Sequence, residues 1–234
     1  STSLFGRSID LFKVKKICFN KRITLIEDAA QNFGSRIRNK DSCTIADLSC
    51  TSFFPSKNLG CYGDGGAIFT NNKKLAQKIR LLRNHGQKKY NESDLIGINS
   101  RIGSLQSSVL LEKLKDFKNK KKKQQNLYKK YDQFFAGYKI IGYPKVRNNK
   151  TFNDVNCQFS LIVKKRASFI KYLKKYKVNF KIYYSKPLYK QFNLNTKVNF
   201  KNTEFITNHI ISLPFNDLSL RRFSKVIFAL KKII

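Results

Sequence analysis

Ser52-Phe53-Phe54-Pro55-Ser56-Lys57-Asn58-Leu59-Gly60 runs directly into Cys61-Tyr62-Gly63-Asp64-Gly65-Gly66. Residues 50–54 and 66–70 read as short strands, and the glycine-rich turn between them permits positive φ and close backbone approach. Upstream, Ile23, Leu25 and Ile26 mark residues 22–28 as a buried strand that ends on Glu27-Asp28. Downstream, Leu75, Ile79 and Leu82 recur at helical spacing over residues 73–84. Strand, loop and helix alternate, which predicts an α/β layer architecture. The chemistry lies in a pairing: Lys57 in the loop and a carboxylate at a strand end. A lysine amine can condense with an aldehyde cofactor, and a nearby carboxylate can keep a pyridine nitrogen protonated. Together these are the protein's half of pyridoxal-phosphate chemistry.

Further along, residues 103–135 predict one long helix, with Leu105, Val109, Leu110, Leu114 and Phe117 as its apolar stripe. Its continuation through Lys118–Lys130 is very basic and reads as a solvated face. Gly137, Gly142 and Pro144 break the pattern, which sets a domain boundary near residues 117–140. A second α/β stretch follows. Residues 157–163 and 178–184 read as strands and 167–176 as a helix. Residues 217–234 read as a final amphipathic helix, with Asp217 as N-cap and Leu220, Phe223, Ile227 and Leu230 inward.

The chain has 234 residues, of which 41% are hydrophobic, with 20 Phe and 11 Tyr. A substantial core can form, so the chain is not read as disordered. No apolar run approaches membrane-span length, and a cytoplasmic location is expected. The net charge of +34 allows two readings, a nucleic-acid binder or a composition bias rich in Lys, Asn, Ile, Phe and Tyr. The basic residues are spread along the whole chain with no groove-reading motif, which favours the bias. Such a charge still attracts acidic ligands such as nucleotide-sugar diphosphates. Cys18, Cys43, Cys50, Cys61 and Cys157 contain no Cys-x-x-Cys pair and read as reduced thiols. His85 and His209 are too few for a His-rich metal site.

Six motifs, in order and in spacing, resemble the DegT/DnrJ/EryC1/StrS sugar aminotransferases. They are Ile26-Glu27-Asp28-Ala29-Ala30-Gln31, the run Ser52–Gly60, Gly63-Asp64-Gly65-Gly66-Ala67, Arg83-Asn84-His85-Gly86-Gln87, Gly97-Ile98-Asn99-Ser100-Arg101 and Leu105-Gln106. Tyr183–Leu188 and Ser212-Leu213-Pro214 extend the likeness less sharply. The resemblance implies fold type I of the pyridoxal-phosphate-dependent transferases, the aspartate-aminotransferase type. Residues 1–117 would be the remainder of the large cofactor-binding domain. Residues 118–234 would be a linking helix and a small C-terminal α/β domain.

The resemblance also implies roles. Lys57 would hold pyridoxal 5'-phosphate as an imine and later move a proton at the substrate carbon. Asp28 would partner the pyridine nitrogen and keep the ring an electron sink. Gln31 would lie near the ring hydroxyl, Ser52 would donate to the phosphate, and Asn99 would reach the phosphate of a neighbouring subunit's cofactor. Arg101 would meet the amino donor's carboxylate, for which a guanidinium fork is well shaped. Tyr184 and Lys186 would border the substrate pocket. Asn58 and the glycines would shape the lysine loop, and His85 is assigned no chemistry.

The implied reaction transfers an amino group from glutamate or a similar donor to a nucleotide-linked keto-sugar, in polysaccharide, lipopolysaccharide or amino-sugar biosynthesis. The implied assembly is a homodimer with composite active sites. The opening Ser1–Gly6 resembles an interior piece of the family pattern, so the family's N-terminal part, with its phosphate cradle and several strands, is expected to be missing. The alternatives are therefore an inactive or split-enzyme fragment and, from a different class, a basic nucleic-acid-binding protein. A related sugar dehydratase replaces the lysine by histidine, and Lys57 argues against it.

Overall fold

A computed structural model of the chain describes residues 1–138, 142–147, 149–216 and 222–232. The elements follow in the order α1 (Leu11–Asn20), β1 (Ile26–Asp28), β2 (Arg36–Ile37), β3 (Lys40–Asp41), β4 (Leu48–Ser52), β5 (Gly66–Phe69), α2 (Lys73–Arg83), β6 (Gln87–Lys89), β7 (Glu92–Ser93), α3 (Ser104–Lys115), α4 (Phe117–Phe135), β8 (Phe152–Asn153), β9 (Phe159–Ile162), α5 (Arg166–Lys175), α6 (Leu188–Gln191), α7 (Lys201–His209), β10 (Ile210–Leu213) and α8 (Phe223–Lys231). They form two compact units. The first is Ser1–Lys121 with Arg147–Cys157, and the second is Lys122–Val146 with Gln158–Ile234.

The first unit is built on a sheet of order β1-β4-β5. β1 and β4 are parallel, with Asp28 opposite Cys50, and β5 returns antiparallel, with Gly66 opposite Ser52. Leu11, Leu25, Ile37 and Ile45 form one small core, which seats α1. Asp10 caps α1 by accepting from Lys13 N, a standard start signal. Phe33 fills the other region, its ring against those of Phe53, Phe69 and Phe117. The small sheet β3-β2-β8 brings residues 152–153 back onto this unit. Asp154, almost fully buried, accepts from Ser8 N and pairs with Arg147 at 2.7 Å.

The second unit surrounds β9 and β10, paired antiparallel. Its core includes Leu127, Tyr128, Tyr131 and Phe135 from α4, Phe159 and Leu161 from β9, and Leu230 from α8. Phe159 stacks against Tyr131 at 4.7 Å and meets Tyr128 edge-on at 4.9 Å. Each buried tyrosine keeps its hydroxyl satisfied: Tyr131 donates to Pro214 O at 2.9 Å and Tyr128 to Pro144 O. Burial raises the Tyr131 phenol above its ordinary range.

Several predicted elements change form, each for a local reason. The strand expected over 22–28 is confined to 26–28. Ile23 N donates to Cys18 O and Leu25 N to the Asp47 carboxylate, which takes both donors out of any ladder. The strand expected over 50–54 is β4, and it turns away after Ser52, whose Oγ accepts from Phe54 N. The long helix is two helices. Asp116 stands at the break: its backbone leaves helical geometry as the C-cap of α3, its carbonyl accepts from Lys120 N in α4, and its carboxylate accepts from the Asn119 side-chain amide. In α3 the apolar stripe is only half used: Val109 and Leu110 are half-buried, whereas Leu105 and Leu114 are exposed. Residues 178–184 form no strand. Only Lys181 pairs, with Ser212, and β10 is the partner β9 takes instead. Phe223, Ile227 and Leu230 do face the core in α8, while Asp217 and Leu220 lie outside the described residues. No helix among the described residues is long and apolar enough to cross a membrane, and no described cluster of His, Cys, Asp and Glu could hold a metal.

Candidate active site

Side chains alternate across a sheet, so register decides which residues share a face. Ile26 and Asp28 of β1, Leu48, Cys50 and Ser52 of β4, and Gly66 and Ile68 of β5 share one face. Glu27, Ser49, Thr51, Ala67 and Phe69 share the other. The second face is closed: Glu27, Ser49 and Thr51 are all buried. The first is open, with Ile26 52% and Ile68 56% exposed. Asp28, Cys50 and Ser52 stand half-buried on that open face. Strand spacing and rise put Asp28 and Ser52 about 8 Å apart along it. That is room for one aromatic ring carrying a phosphate arm.

Asp28 closes a short turn by accepting Ala30 N on Oδ1 at 2.9 Å, and no hydrogen bond among the described residues occupies Oδ2. Ser52 Oγ accepts from Phe54 N at 3.2 Å, which leaves its proton to donate outward. Gln31 Oε1 accepts from Phe5 N at 2.6 Å. Its amide is thereby fixed, with Nε2 as the remaining donor.

The lysine loop is tied to this group through its neighbours. Lys57 N donates to Phe54 O at 2.9 Å, closing a turn. Asn58, buried, donates Nδ2 to Gln31 O at 3.2 Å and to Phe33 O at 3.4 Å. Loop 57–58 is thus stitched to the loop that follows Asp28. Gly60 lets the loop fold back on itself, since a Cβ there would stand 2.6 Å from Phe54 O. From α3, Lys113 donates to Gly60 O at 2.7 Å and Gln106 accepts from Tyr62 N at 2.8 Å. Lys57 is half-buried, and its ammonium has no hydrogen bond or ion pair among the described residues.

Two residues that the sequence left without a role belong to this region. Cys157 lies with its sulfur 4.0 Å from Gln31 Oε1. Burial pushes its thiol up to about 12, against the opposing pull of the Lys57 charge nearby. Lys57, Gln31 and Cys157 therefore converge, although Cys157 is 126 residues from Gln31 along the chain. No local pattern marks such a residue. Glu27, wholly buried beneath Asp28's strand, accepts from Cys43 N at 2.8 Å and Ser49 Oγ at 3.0 Å, both on Oε2. Oε1 has no partner. Burial raises its pKa, the two hydrogen bonds oppose that, and the Asp28 charge adds to it. Burial, with the charges of Asp28 and Glu27, also raises the Cys50 thiol.

Asn99 and Arg101 form a second, exposed cluster. Asn99 pairs with Asn84 across an antiparallel bridge, and Arg101 donates Nη1 to Asn84 Oδ1. No hydrogen bond or ion pair among the described residues joins them to the Asp28–Lys57 group. Tyr184 lies in the second unit, 49% exposed, its ring edge-on to Tyr183.

The sequence profile of the DegT/DnrJ/EryC1/StrS aminotransferase family matches residues 1–231. The chain belongs to that family. The DegT/DnrJ/EryC1/StrS aminotransferases work with pyridoxal phosphate, and the fold is the type I α/β transferase fold. Among curated relatives, a UDP-2-acetamido-2-deoxy-3-oxo-D-glucuronate aminotransferase of Pseudomonas aeruginosa is 40% identical over 189 residues, 81% of this chain and 52% of its own. Among solved structures, a DegT/DnrJ/EryC1/StrS aminotransferase from Brucella abortus superposes with a TM-score of 0.91 at 28% identity. The match covers 99% of this chain and 62% of that one. DesV of Streptomyces venezuelae, solved in complex with a ketimine intermediate, gives a TM-score of 0.92 at 26% identity over 99% and 63%. The chain spans about half the length of the Pseudomonas relative and under two thirds of these solved chains.

Proposed function

We propose that the chain carries the amine-transfer half of a pyridoxal-phosphate-dependent aminotransferase site whose acceptor is a nucleotide-linked keto-sugar. The observation that carries this reading is the placement of Asp28 and Ser52 on one open sheet face, with Lys57 stitched to it through Asn58. The donor set fits the cofactor. Among the described residues, Asp28 has an oxygen to spare for a pyridinium proton, Ser52 has a hydroxyl proton for a phosphate, and Lys57 has an amine with no competing ion pair. When bound, the cofactor supplies an electron sink for the carbon that gains or loses the amine.

The rest falls to the chain. Lys57 anchors the cofactor and, once released, moves a proton at the reacting carbon. Asp28 favours the protonated ring nitrogen. Ser52 holds the phosphate, and Gln31 presents Nε2 to the ring's edge. Arg101 takes the donor's carboxylate, glutamate or similar, and Tyr184 borders the sugar. The exposed setting of Asn99 suits a reach into a second subunit's site, in a homodimer. In this reading residues 1–117, joined by the returning segment Arg147–Cys157, are the cofactor-binding part, and the rest of 118–234 is a linking helix with a small domain. On the same reading the enzyme works in the cytoplasm, in polysaccharide, lipopolysaccharide or amino-sugar synthesis; the relatives' names, those of nucleotide-sugar aminotransferases, support the amino-sugar part.

The exposed Ile26 and Ile68 support a second reading, in which the site is complete only when further polypeptide covers that face. Assaying amino transfer from glutamate to a UDP- or dTDP-linked keto-sugar separates the two. Turnover by this chain alone supports the first reading. Turnover only when a covering polypeptide is supplied supports the second. No turnover under either condition refutes both.

A further inference from the structure

The structure assigns Asn84 as a positioning residue that aims the Arg101 guanidinium while leaving its charge unspent, so that Arg101 can take a donor carboxylate. The assignment rests on the carboxylate role given to Arg101 above.

The backbone makes Asn84 a fixed point. α2 ends at Arg83, and its last carbonyls are taken up by the chain that follows. Asn84 N and Gly86 N both donate to Leu81 O, at 2.9 and 2.8 Å. The segment between β7 and α3 then returns along the same helix end. Ile98 N donates to Leu82 O at 2.9 Å, Ser100 N to Arg83 O at 2.9 Å, and His85 N to Ile98 O at 3.0 Å. Segment 98–100 is thereby laced to residues 82–85 on both sides of Asn84. The close approach depends on Gly86, which sits at φ +72° with Leu95 O only 1.6 Å from where a Cβ would be. Every one of these contacts lies within the first unit.

Against this fixed frame Asn84 Oδ1 accepts from Arg101 Nη1. A free arginine side chain is exposed and rotamer-rich, and holding it in one orientation costs entropy that the anchor pays in advance. The chemistry of the anchor also matters. Arg101 has no ion pair among the described residues, and an amide oxygen satisfies one N–H without neutralising the cation. The outer edge of the fork stays free for two parallel hydrogen bonds to a carboxylate. A carboxylate anchor would orient the group equally well but cancel its charge. Asparagine supplies orientation alone.

The test uses three variants. In the chain labelled with 15N-arginine, rotation of the Arg101 guanidinium is slow in the wild type and in Asn84→Asp, and fast in Asn84→Ala. In the amino-transfer assay under whichever condition gives turnover, Asn84→Ala raises KM for the amino donor about ten-fold, the loss expected for one hydrogen bond to a charged group, and leaves KM for the keto-sugar unchanged. Asn84→Asp raises the donor KM too, despite slow rotation, because charge and not orientation is lost. In an Arg101→Ala background neither change at Asn84 has a further effect. Guanidinium rotation indifferent to Asn84→Ala overturns the assignment, as does a rise in keto-sugar KM equal to that for the donor. A donor KM untouched by Arg101→Ala overturns the carboxylate role of Arg101, and this inference with it, while slow rotation in the wild type would still show the anchor itself.

Discussion

Replacing Asn58 tests whether the lysine loop is held as described. Its Nδ2 supplies Gln31 O and Phe33 O, at 3.2 and 3.4 Å, from a site only 4% exposed. Asn58→Ala removes the donor from two part-buried carbonyl oxygens. An unmade buried hydrogen bond costs about 1–3 kcal/mol, and the 3.4 Å contact contributes less than the other, so about 2 kcal/mol is expected. With a urea slope of about 2–3 kcal/mol/M, the midpoint for the first unit falls by roughly 1 M. Asn58→Asp keeps the shape but sets a buried carboxylate against two carbonyl oxygens, so its cost rises to about 3–5 kcal/mol at neutral pH. That variant recovers in mild acid, where the protonated carboxyl can again donate. Urea unfolding followed by circular dichroism and tyrosine fluorescence measures all three proteins. An Asn58→Ala midpoint within a few tenths molar of the wild type, or an Asn58→Asp variant no weaker than Asn58→Ala, would refute the stitched loop.

Further outcomes concern titration, the second core and cofactor retention. Glu27 has its pKa raised by burial, so its stabilising contribution is full below the ordinary glutamate pKa and fades as pH climbs through the raised value. Stability of the wild type should fall with rising pH across that window, and Glu27→Gln should flatten the profile in pH-dependent urea melts. Tyr131→Phe, which loses the bond to Pro214 O, should cost about 1 kcal/mol in the second unit with no change in cofactor binding. Ser52→Ala and Asp28→Asn should each weaken cofactor retention on dialysis while leaving the unfolding free energy within about 0.5 kcal/mol of the wild type, because both side chains are only half-buried.

The α/β character and several elements could be read directly from residue patterns. Leu75, Ile79 and Leu82 fix the period of α2, and the glycines after Lys57 mark the return from β4 to β5. The line of Asp28, Cys50 and Ser52 followed from motif order once register was known, but register is a tertiary fact. The failures have physical causes. The strand expected at 178–184 had the right composition, yet β9 took β10 as its partner, and composition does not choose partners. The expected long helix breaks at Asp116, where the backbone leaves helical geometry at one residue, and apolar periodicity runs straight through such a break. Leu105 and Leu114 followed the helical period, but periodicity cannot say whether a stripe finds cover within the same chain. Glu27 and Cys157 gain meaning only from neighbours 16 and 126 residues away.

The central claim is that one amine among 48 basic residues is set apart by its surroundings. It is measured most directly by incubating the chain with pyridoxal phosphate, reducing with borohydride and mapping the attached pyridoxyl mass by peptide mass spectrometry. The account predicts stoichiometric labelling at Lys57, lost in Lys57→Ala and weakened in Asp28→Asn. Label scattered over surface lysines, unchanged by Lys57→Ala even with the open sheet face covered by added polypeptide, would contradict it.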